Sequence, residues 1–445
     1  MPSQLALIIC TIFVLFLLRL DRKQSPGVSF ALWIPTIWML VIASRPLGLW
    51  FQSGAATIEE GSKLDRGFLI VLFCLGLIIL TKRKFNWSNS IKENIWLMLL
   101  IVYMLVSILW SDVPFISLKR WSRQVIALVM AFILLTETDP RKALESLFRR
   151  IIYILIPFSY ILIHYFGEYG RLYVHHEGVM MWTGVTLHKN SLSQLCLFAV
   201  FFLSWTFIKR LHGRNTSAVK YQTYFEVFVL ILTFWILGGP NHVFTYSATT
   251  TVALTLGLSA FIVLLWEKKR GAMFGQKVLI VLIGFFFIYG TITPFAGRLT
   301  GIDVSSALNR EDTLTGRTGI WAKLIPVAMQ HPLLGHGFGG FWTAEARELY
   351  KISSSHNGYL GVLLEIGLVG LLLYAIFLLS SFRKAQRVMI QDFYWGAFWI
   401  CFLLMTVAYN IAESSLNTFS AKFMAVIFLL TVSSTKLIRT PRESR

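Results

Sequence analysis

The stretch that decides the fold is Ser353-Ser354-Ser355-His356-Asn357-Gly358-Tyr359-Leu360-Gly361-Val362-Leu363-Leu364-Glu365-Ile366-Gly367-Leu368-Val369-Gly370. Three serines, a histidine and an asparagine lead directly into an apolar run, Tyr359 to Leu379. A helix of about 20 such residues crosses a bilayer core. Upstream lie Thr315-Gly316-Arg317-Thr318-Gly319-Ile320-Trp321 and a glycine cluster, His331-Pro332-Leu333-Leu334-Gly335-His336-Gly337-Phe338-Gly339-Gly340. Reactive polar groups at the mouth of a membrane helix point to chemistry performed just outside the lipid.

The rest of the chain fits that setting. It has 445 residues, of which 56% are hydrophobic and only 14% charged, and its mean hydropathy is +0.65. A soluble domain carries roughly a quarter charged residues. Runs long enough to span, with ragged edges, are 4–18, 27–44, 66–80, 94–110, 121–137, 149–166, 190–208, 223–239, 248–266, 277–294, 358–380, 392–411 and 418–436. The reading is an all-α polytopic membrane protein of about 12 or 13 transmembrane helices with one long extracytoplasmic loop.

The net charge of +19 invites a nucleic-acid reading, but its placement excludes one. Arg19, Arg22 and Lys23 form one cluster, Lys82, Arg83 and Lys84 another. Arg141, Lys142, Arg149 and Arg150 follow, then Lys209, Arg210 and Arg214. Lys268, Lys269 and Arg270, then Arg383, Lys384 and Arg387, and finally Lys436, Arg439, Arg442 and Arg445 complete the set. Alternate gaps carry them, which is the positive-inside pattern. The first run, Leu5–Leu18, has its charges after it, and reads as a retained helix with its N-terminus outside, not a signal peptide. The outside segments are then 45–65, 111–120, 167–189, 240–247, 295–357 and 412–417. Cys10, Cys74, Cys196 and Cys401 lie within apolar segments without C-x-x-C spacing, so neither a disulfide framework nor a zinc site is expected.

Segment 295–357 is the one long loop, and loops of that length are usually functional. It divides the chain into an N-terminal transmembrane bundle, 1–294, the active loop, 295–357, and C-terminal transmembrane helices with a cytoplasmic tail, 358–445. Trp321, Leu324, Ile325 and Met329 recur at helical spacing, which predicts a short helix on or near the membrane face. Arg317, just before that helix, suits an anionic phosphate oxygen. Its bland alternative is a solvated surface arginine. His356 can take a proton from a hydroxyl near neutral pH, or simply bond backbone. Asn357 fixes the imidazole or grips a sugar hydroxyl. Glu365, about 13 Å deeper in the helix, is a carboxylate inside a span and so a functional or pairing residue by default. Glu413 sits at an outer helix end, functional or merely solvated. Lys119, Arg120 and Arg123 are cations on the outer side, against the topological bias, and so are candidates for a lipid headgroup or diphosphate. His188-Lys189-Asn190 is a similar case. Two such clusters converging on one cavity make an anion pocket.

Other signals carry less. Gly335-x-Gly337-x-x-Gly340 matches the dinucleotide fingerprint in letters, but no strand precedes it. His175-His176-Glu177 lacks further ligands at metal spacing. There is no Asp-x-Asp pair, and Ser353–Ser355 has no Gly-x-Ser-x-Gly context.

The motifs Thr315-Gly316-Arg317-Thr318-x-x-Trp321, His331-Pro332-Leu333-x-Gly335-x-Gly337 and His356-Asn357-x-Tyr359-Leu360 with Glu365-x-Gly367-Leu368-x-Gly370 resemble the O-antigen ligase and Wzy-type polymerase family. Within it the chain looks most similar to exopolysaccharide polymerases of the succinoglycan type. Glu60-Gly61-Ser62-x-x-Asp65-Arg66, Leu109-Trp110-Ser111-Asp112 and Gly184-x-x-x-His188-Lys189-Asn190 extend the match.

The resemblance implies a GT-C-like, metal-independent glycosyltransferase with no cofactor. It would move a glycan from undecaprenyl diphosphate to an acceptor hydroxyl at the outer face of the inner membrane. It also implies that Arg317 holds the diphosphate, that His356 acts as base or acceptor-orienting group, and that Trp321 belongs to the substrate site. A flippase and a chain-length regulator would be its partners. A polymerase is the main expectation, a ligase to lipid A core its alternative, and a lipid-linked sugar transporter the rival from another class. One departure stands out. Where the family often has a second arginine after a serine, this chain reads Tyr246-Ser247-Ala248-Thr249-Thr250. Lys119, Arg120, Arg123 and Lys189 are the candidates to replace it.

Overall fold

A computed structural model describes residues 1–51, 62–83, 86–174, 179–211, 217–240, 247–271, 274–300, 315–352, 354–416 and 422–433. Its principal helices are α1 Ser3–Gln24, α2 Trp33–Ala43, α3 Lys63–Lys82, α4 Trp87–Glu93, α5 Ile95–Val106, α6 Pro114–Leu135, α7 Pro140–Tyr165 and α8 Lys189–Leu211. They continue as α9 Ser217–Leu237, α10 Ala248–Arg270, α11 Phe274–Thr300, α12 Thr315–Ala328, α13 Ala344–Tyr350, α14 Gly358–Gln391, α15 Phe393–Tyr409 and α16 Lys422–Ser433. Each apolar run lies on a helix. Among the described residues, seven helices are long and apolar enough to cross a membrane, or up to eight if the pair α4 and α5, bent by 90°, forms one span. Three shorter apolar helices accompany them. The chain is an all-α polytopic membrane protein. Within the segment 167–189, an antiparallel hairpin pairs β1, Arg171–Val174, with β2, Val179–Trp182.

The core is built on α7, α8, α15 and α16, whose residues Phe148, Phe202, Phe398, Trp399, Phe402 and Phe428 are almost fully buried. By contrast α1 and α3 expose Ile8, Ile12, Leu15, Ile70 and Val71. That apolar exposure suits a lipid-facing rim. The basic clusters do more than set orientation. Arg149 and Arg150 each donate to the fully buried carboxylate of Asp21 at 2.8 Å, tying α7 to α1. Arg83 pairs with Glu137 at 2.8 Å, Lys209 with Glu145 at 2.8 Å and Arg210 with Glu226 at 2.6 Å. Buried charges need such partners.

The expected loop helix exists, as α12, and Arg317 lies in its first turn instead of ahead of it. Its position also differs from expectation. Trp321, Leu324 and Ile325 are buried against Phe341, Trp342, Leu360, Leu363 and Leu364, and only Met329 of the apolar set is exposed. The helix packs on the protein because α14 offers it an apolar face. The loop begins later too, since α11 runs to Thr300.

Within α14 the helix is interrupted at Gly367, which has φ 64° and ψ −167°. That conformation is essentially restricted to glycine. A break inside a span frees backbone groups that lipid cannot satisfy. The glycine cluster satisfies them. His336 N donates to Leu364 O at 2.9 Å, Leu368 N to Pro332 O at 2.9 Å and Val369 N to Leu333 O at 3.2 Å. Tyr103 donates to Ile366 O at 3.0 Å, and Phe338 N to Ser107 Oγ at 2.9 Å. Gly335 packs its α-carbon onto this break: an added Cβ would lie 2.6 Å from the Glu365 carbonyl.

Gly367→Ala is therefore expected to destabilise strongly. Strain alone accounts for about 1–3 kcal/mol, and its Cβ would sit 2.2 Å from Leu333 O. Gly284→Ala, with nothing within 4 Å, is the control and should leave the thermal midpoint in detergent near wild type. Equal midpoints for the two variants would contradict this account of the break.

Candidate functional site

Four elements meet beside the start of α14. Arg317 comes from α12, His356 precedes α14, Glu413 lies in the turn after α15, and Asn190 opens α8. Glu413 is their hub. Its Oε1 accepts from Arg317 Nη2 at 3.1 Å and from Asn190 Nδ2 at 2.8 Å. Its Oε2 lies 3.9 Å from His356 Nδ1, too far for a direct hydrogen bond. Lys189 is near enough to favour the charged carboxylate. Tyr409 donates to Asn190 O at 3.5 Å.

Burial raises the Glu413 carboxyl above its ordinary value, opposed by Arg317, Asn190 and Lys189. Burial, helped by the neighbouring Arg317 charge, pushes His356 below the ordinary histidine value. The imidazole is therefore neutral at neutral pH and able to accept a proton. It remains about one-third exposed, whereas Arg317 and Glu413 are largely covered.

His356 has φ 46°, a left-handed conformation that non-glycine residues seldom adopt. Contacts on both sides hold it there. Ser355 Oγ donates to Asn357 O at 2.7 Å and, with its proton committed, accepts from Ser414 Oγ at 2.7 Å. The Trp321 indole donates to Ser355 O at 3.0 Å. Asn357 caps α14 by accepting from Leu360 N at 2.8 Å. Its amide donates to Gly290 O and Ile411 O, each at 3.0 Å. Gly358 N donates to Asn410 O at 2.8 Å.

Several candidates therefore take other roles. Asn357 is fully buried with its amide bonded to backbone carbonyls, so it positions the chain. Trp321 is a core residue that anchors Ser355. Glu365 accepts from Gly339 N at 3.2 Å and belongs to the seam between glycine cluster and α14. Arg120 donates to the carbonyls of Gly339 and, at 2.9 Å, Trp342. Lys119 sits 4.3 Å over the Phe115 ring, and Arg123 is exposed on α6. His188 is exposed, and its carbonyl accepts from Leu192 N at 3.1 Å.

Of the two outer cationic groups, Lys189 and Asn190 thus join Arg317 and His356, while Arg120 serves the glycine cluster. Ser247, where a second arginine was sought, donates to Thr250 at 2.9 Å. His175, His176 and Glu177 lie outside the described residues. Among the described residues, no group of three or more His, Cys, Asp or Glu side chains is placed to hold a metal ion.

One arginine escaped sequence reasoning. Arg45 donates to Tyr169 O and, at 3.2 Å, to Thr186 O, and its guanidinium lies 4.7 Å from the Trp50 ring centre. It ties the end of α2 to the segments that flank the β1–β2 hairpin. An arginine directly before Pro46, on the side poor in basic residues, was the available signal.

Residues 228–375 match the family described as O-antigen ligase, a segment that holds both Arg317 and His356. Over that segment the chain is similar to the O-antigen ligase family. Exopolysaccharide production protein ExoQ of Rhizobium meliloti (strain 1021) is 23% identical over 337 residues, covering 72% of this chain and 71% of that protein. Together these matches support a membrane protein of polysaccharide ligase or polymerase type. The matched segment does not contain the whole cluster, because Lys189, Asn190 and Glu413 lie outside it.

Asn357→Ala should remove a cap worth about 1 kcal/mol. It should also strand two buried carbonyls, at roughly 1–3 kcal/mol. A lowered thermal midpoint in detergent is the expected result. Wild-type stability with selective loss of sugar binding would return Asn357 to the substrate site.

Proposed function

We propose that this protein is a glycosyltransferase that polymerises undecaprenyl-diphosphate-linked oligosaccharide repeats at the outer face of the bacterial inner membrane. The observation that carries the reading is one cluster uniting Arg317 with His356 around Glu413. Arg317 holds the donor diphosphate, for which a guanidinium is suited by charge and by its forked donors. His356 Nε2 takes the proton of the acceptor hydroxyl as the hydroxyl oxygen attacks the anomeric carbon. The bond from that carbon to the diphosphate oxygen breaks, and the leaving group keeps the electron pair. Diphosphate leaves readily, so cations at the developing charge and a base at the hydroxyl suffice. A flippase supplying donor and a regulator of chain length are the partners this role calls for.

Polymerase is preferred to ligase because the curated relative is named for exopolysaccharide production. Purified protein in lipid, given only the lipid-linked repeat, should produce a ladder of longer lipid-linked chains. Transfer that appears only after lipid A core is added would make it a ligase. Movement of the sugar lipid across the bilayer without transfer would make it a transporter.

Arg317→Ala and His356→Ala should each lower turnover by roughly 10²-fold or more while the protein still inserts. The acid limb of kcat/KM, which reports the free enzyme, should lie below the ordinary histidine value, because a lowered pKa leaves the base unprotonated as pH falls through 6.5. A kcat/KM limb above that value would remove His356 from the role of base.

A further inference from the structure

We propose that Glu413 is a positioning residue that couples occupation of Arg317 by the phosphate-bearing donor to activation of His356. This rests on the donor and base roles assigned above. The two oxygens of one carboxylate divide between them the groups that the reaction needs. Oε1 accepts from Arg317 and Asn190 at 3.1 and 2.8 Å, while Oε2 faces His356 Nδ1 at 3.9 Å. In the resting site, Glu413 therefore stands where an anionic ligand of Arg317 would stand, since guanidinium binds carboxylate and phosphate through the same donors.

A diphosphate carries more negative charge than a carboxylate and displaces it from Arg317. Glu413 then retains Asn190 and turns to the imidazole. Closing from 3.9 Å to hydrogen-bond distance takes about 1 Å of side-chain movement. The backbone is held on both sides while the side chain pivots. Before Glu413, Ala412 N donates to Tyr409 O at 3.3 Å, and after it Ser415 N donates to Asn410 Oδ1 at 2.8 Å. Once Nδ1–H donates to Glu413, the tautomer is fixed with Nε2 bare toward the acceptor hydroxyl. The carboxylate also stabilises the imidazolium formed when His356 takes the proton. His356 thus becomes a strong base after the donor arrives, and the order is donor first, acceptor second. A base armed earlier would meet water and no glycan.

The test uses the full chain in detergent, farnesyl diphosphate as binding probe, and the lipid-linked repeat that accumulates in cells lacking the protein as substrate. Glu413→Gln should bind farnesyl diphosphate at least as tightly as wild type, because the competing charge is gone. Its KM for donor should hold or fall while kcat drops by roughly 10²-fold or more. Glu413→Asp, which keeps the charge on a shorter arm, should recover part of kcat. A near-wild-type kcat in Glu413→Gln overturns the coupling. Joint loss of probe binding and turnover also overturns it, since Glu413 would then be only a prop for Arg317. If Glu413→Gln does not fold, Glu413→Asp decides: retained binding with reduced kcat supports the coupling, and unchanged kcat overturns it. A wild-type protein that transfers no glycan overturns the underlying reading and the coupling with it, whereas active wild type with an indifferent Glu413 overturns the coupling alone.

Discussion

In a membrane span every backbone carbonyl and amide must find a partner within the protein, and α14 is broken at Gly367. The break is tolerated because the glycine cluster brings its own backbone to the gap, giving Leu364, Leu368 and Val369 the partners that a regular helix would have supplied. A loop with side chains in place of its glycines could not come so close. Gly335 lies against the Glu365 carbonyl, and Gly367 against that of Leu333. The glycine cluster is thus a structural part of the span. Phe338 and Trp110 lock it further to the elements that lead into α6 through Ser107 Oγ and Leu334 O.

That junction fixes what lies above it. With the first half of α14 held by the cluster, Leu360, Leu363 and Leu364 present a buried face to α12, and Trp321 of α12 reaches Ser355. Ser355 and Asn357 then hold His356 between them in a left-handed conformation. Asn357 extends the clamp to the Gly290 and Ile411 carbonyls, so the same residue that caps α14 sets the turn carrying Glu413. Packing, capping and site geometry form one chain of contacts here. Substitutions well away from the imidazole, at Trp321 or Gly367, act on it through that chain.

Composition and periodicity made the membrane class and the long apolar helices legible, because lipid demands long apolar runs, whereas the short α4 and α13 fall outside every such run. The partners of individual polar residues were far less legible. Arg317, His356, Glu413, Lys189 and Asn190 were each singled out by an unusual location, and all five share one cluster. Yet Asn357, Glu365, Arg120 and Trp321, candidates as well, each bond backbone groups. Linear sequence does not reveal this, since a buried asparagine that caps a helix and one that grips a ligand have the same neighbours. The break at Gly367 was hidden for a related reason. Glycine is common in membrane helices, and only the nearby loop backbone distinguishes a break from a close contact.

The two ends of the bundle use charge differently. Where the basic clusters lie, Asp21 binds Arg149 and Arg150, and Glu137, Glu145 and Glu226 pair with Arg83, Lys209 and Arg210. Breaking a fully buried pair such as Asp21 with Arg149 typically costs about 3–5 kcal/mol, so that contact acts as a permanent tie between helices. At the other end, Glu413 is shared among Arg317, Asn190 and His356, with Lys189 close by. Burial already disfavours its charged form, so its hold on Arg317 is weakened by its own desolvation. A carboxylate held that way can be replaced by a stronger anion at modest cost, whereas Asp21, held by two guanidiniums and a serine, cannot. The difference lies in how many guanidiniums hydrogen-bond the carboxylate, two at Asp21 and one at Glu413, and it is the exchangeable one that stands beside His356.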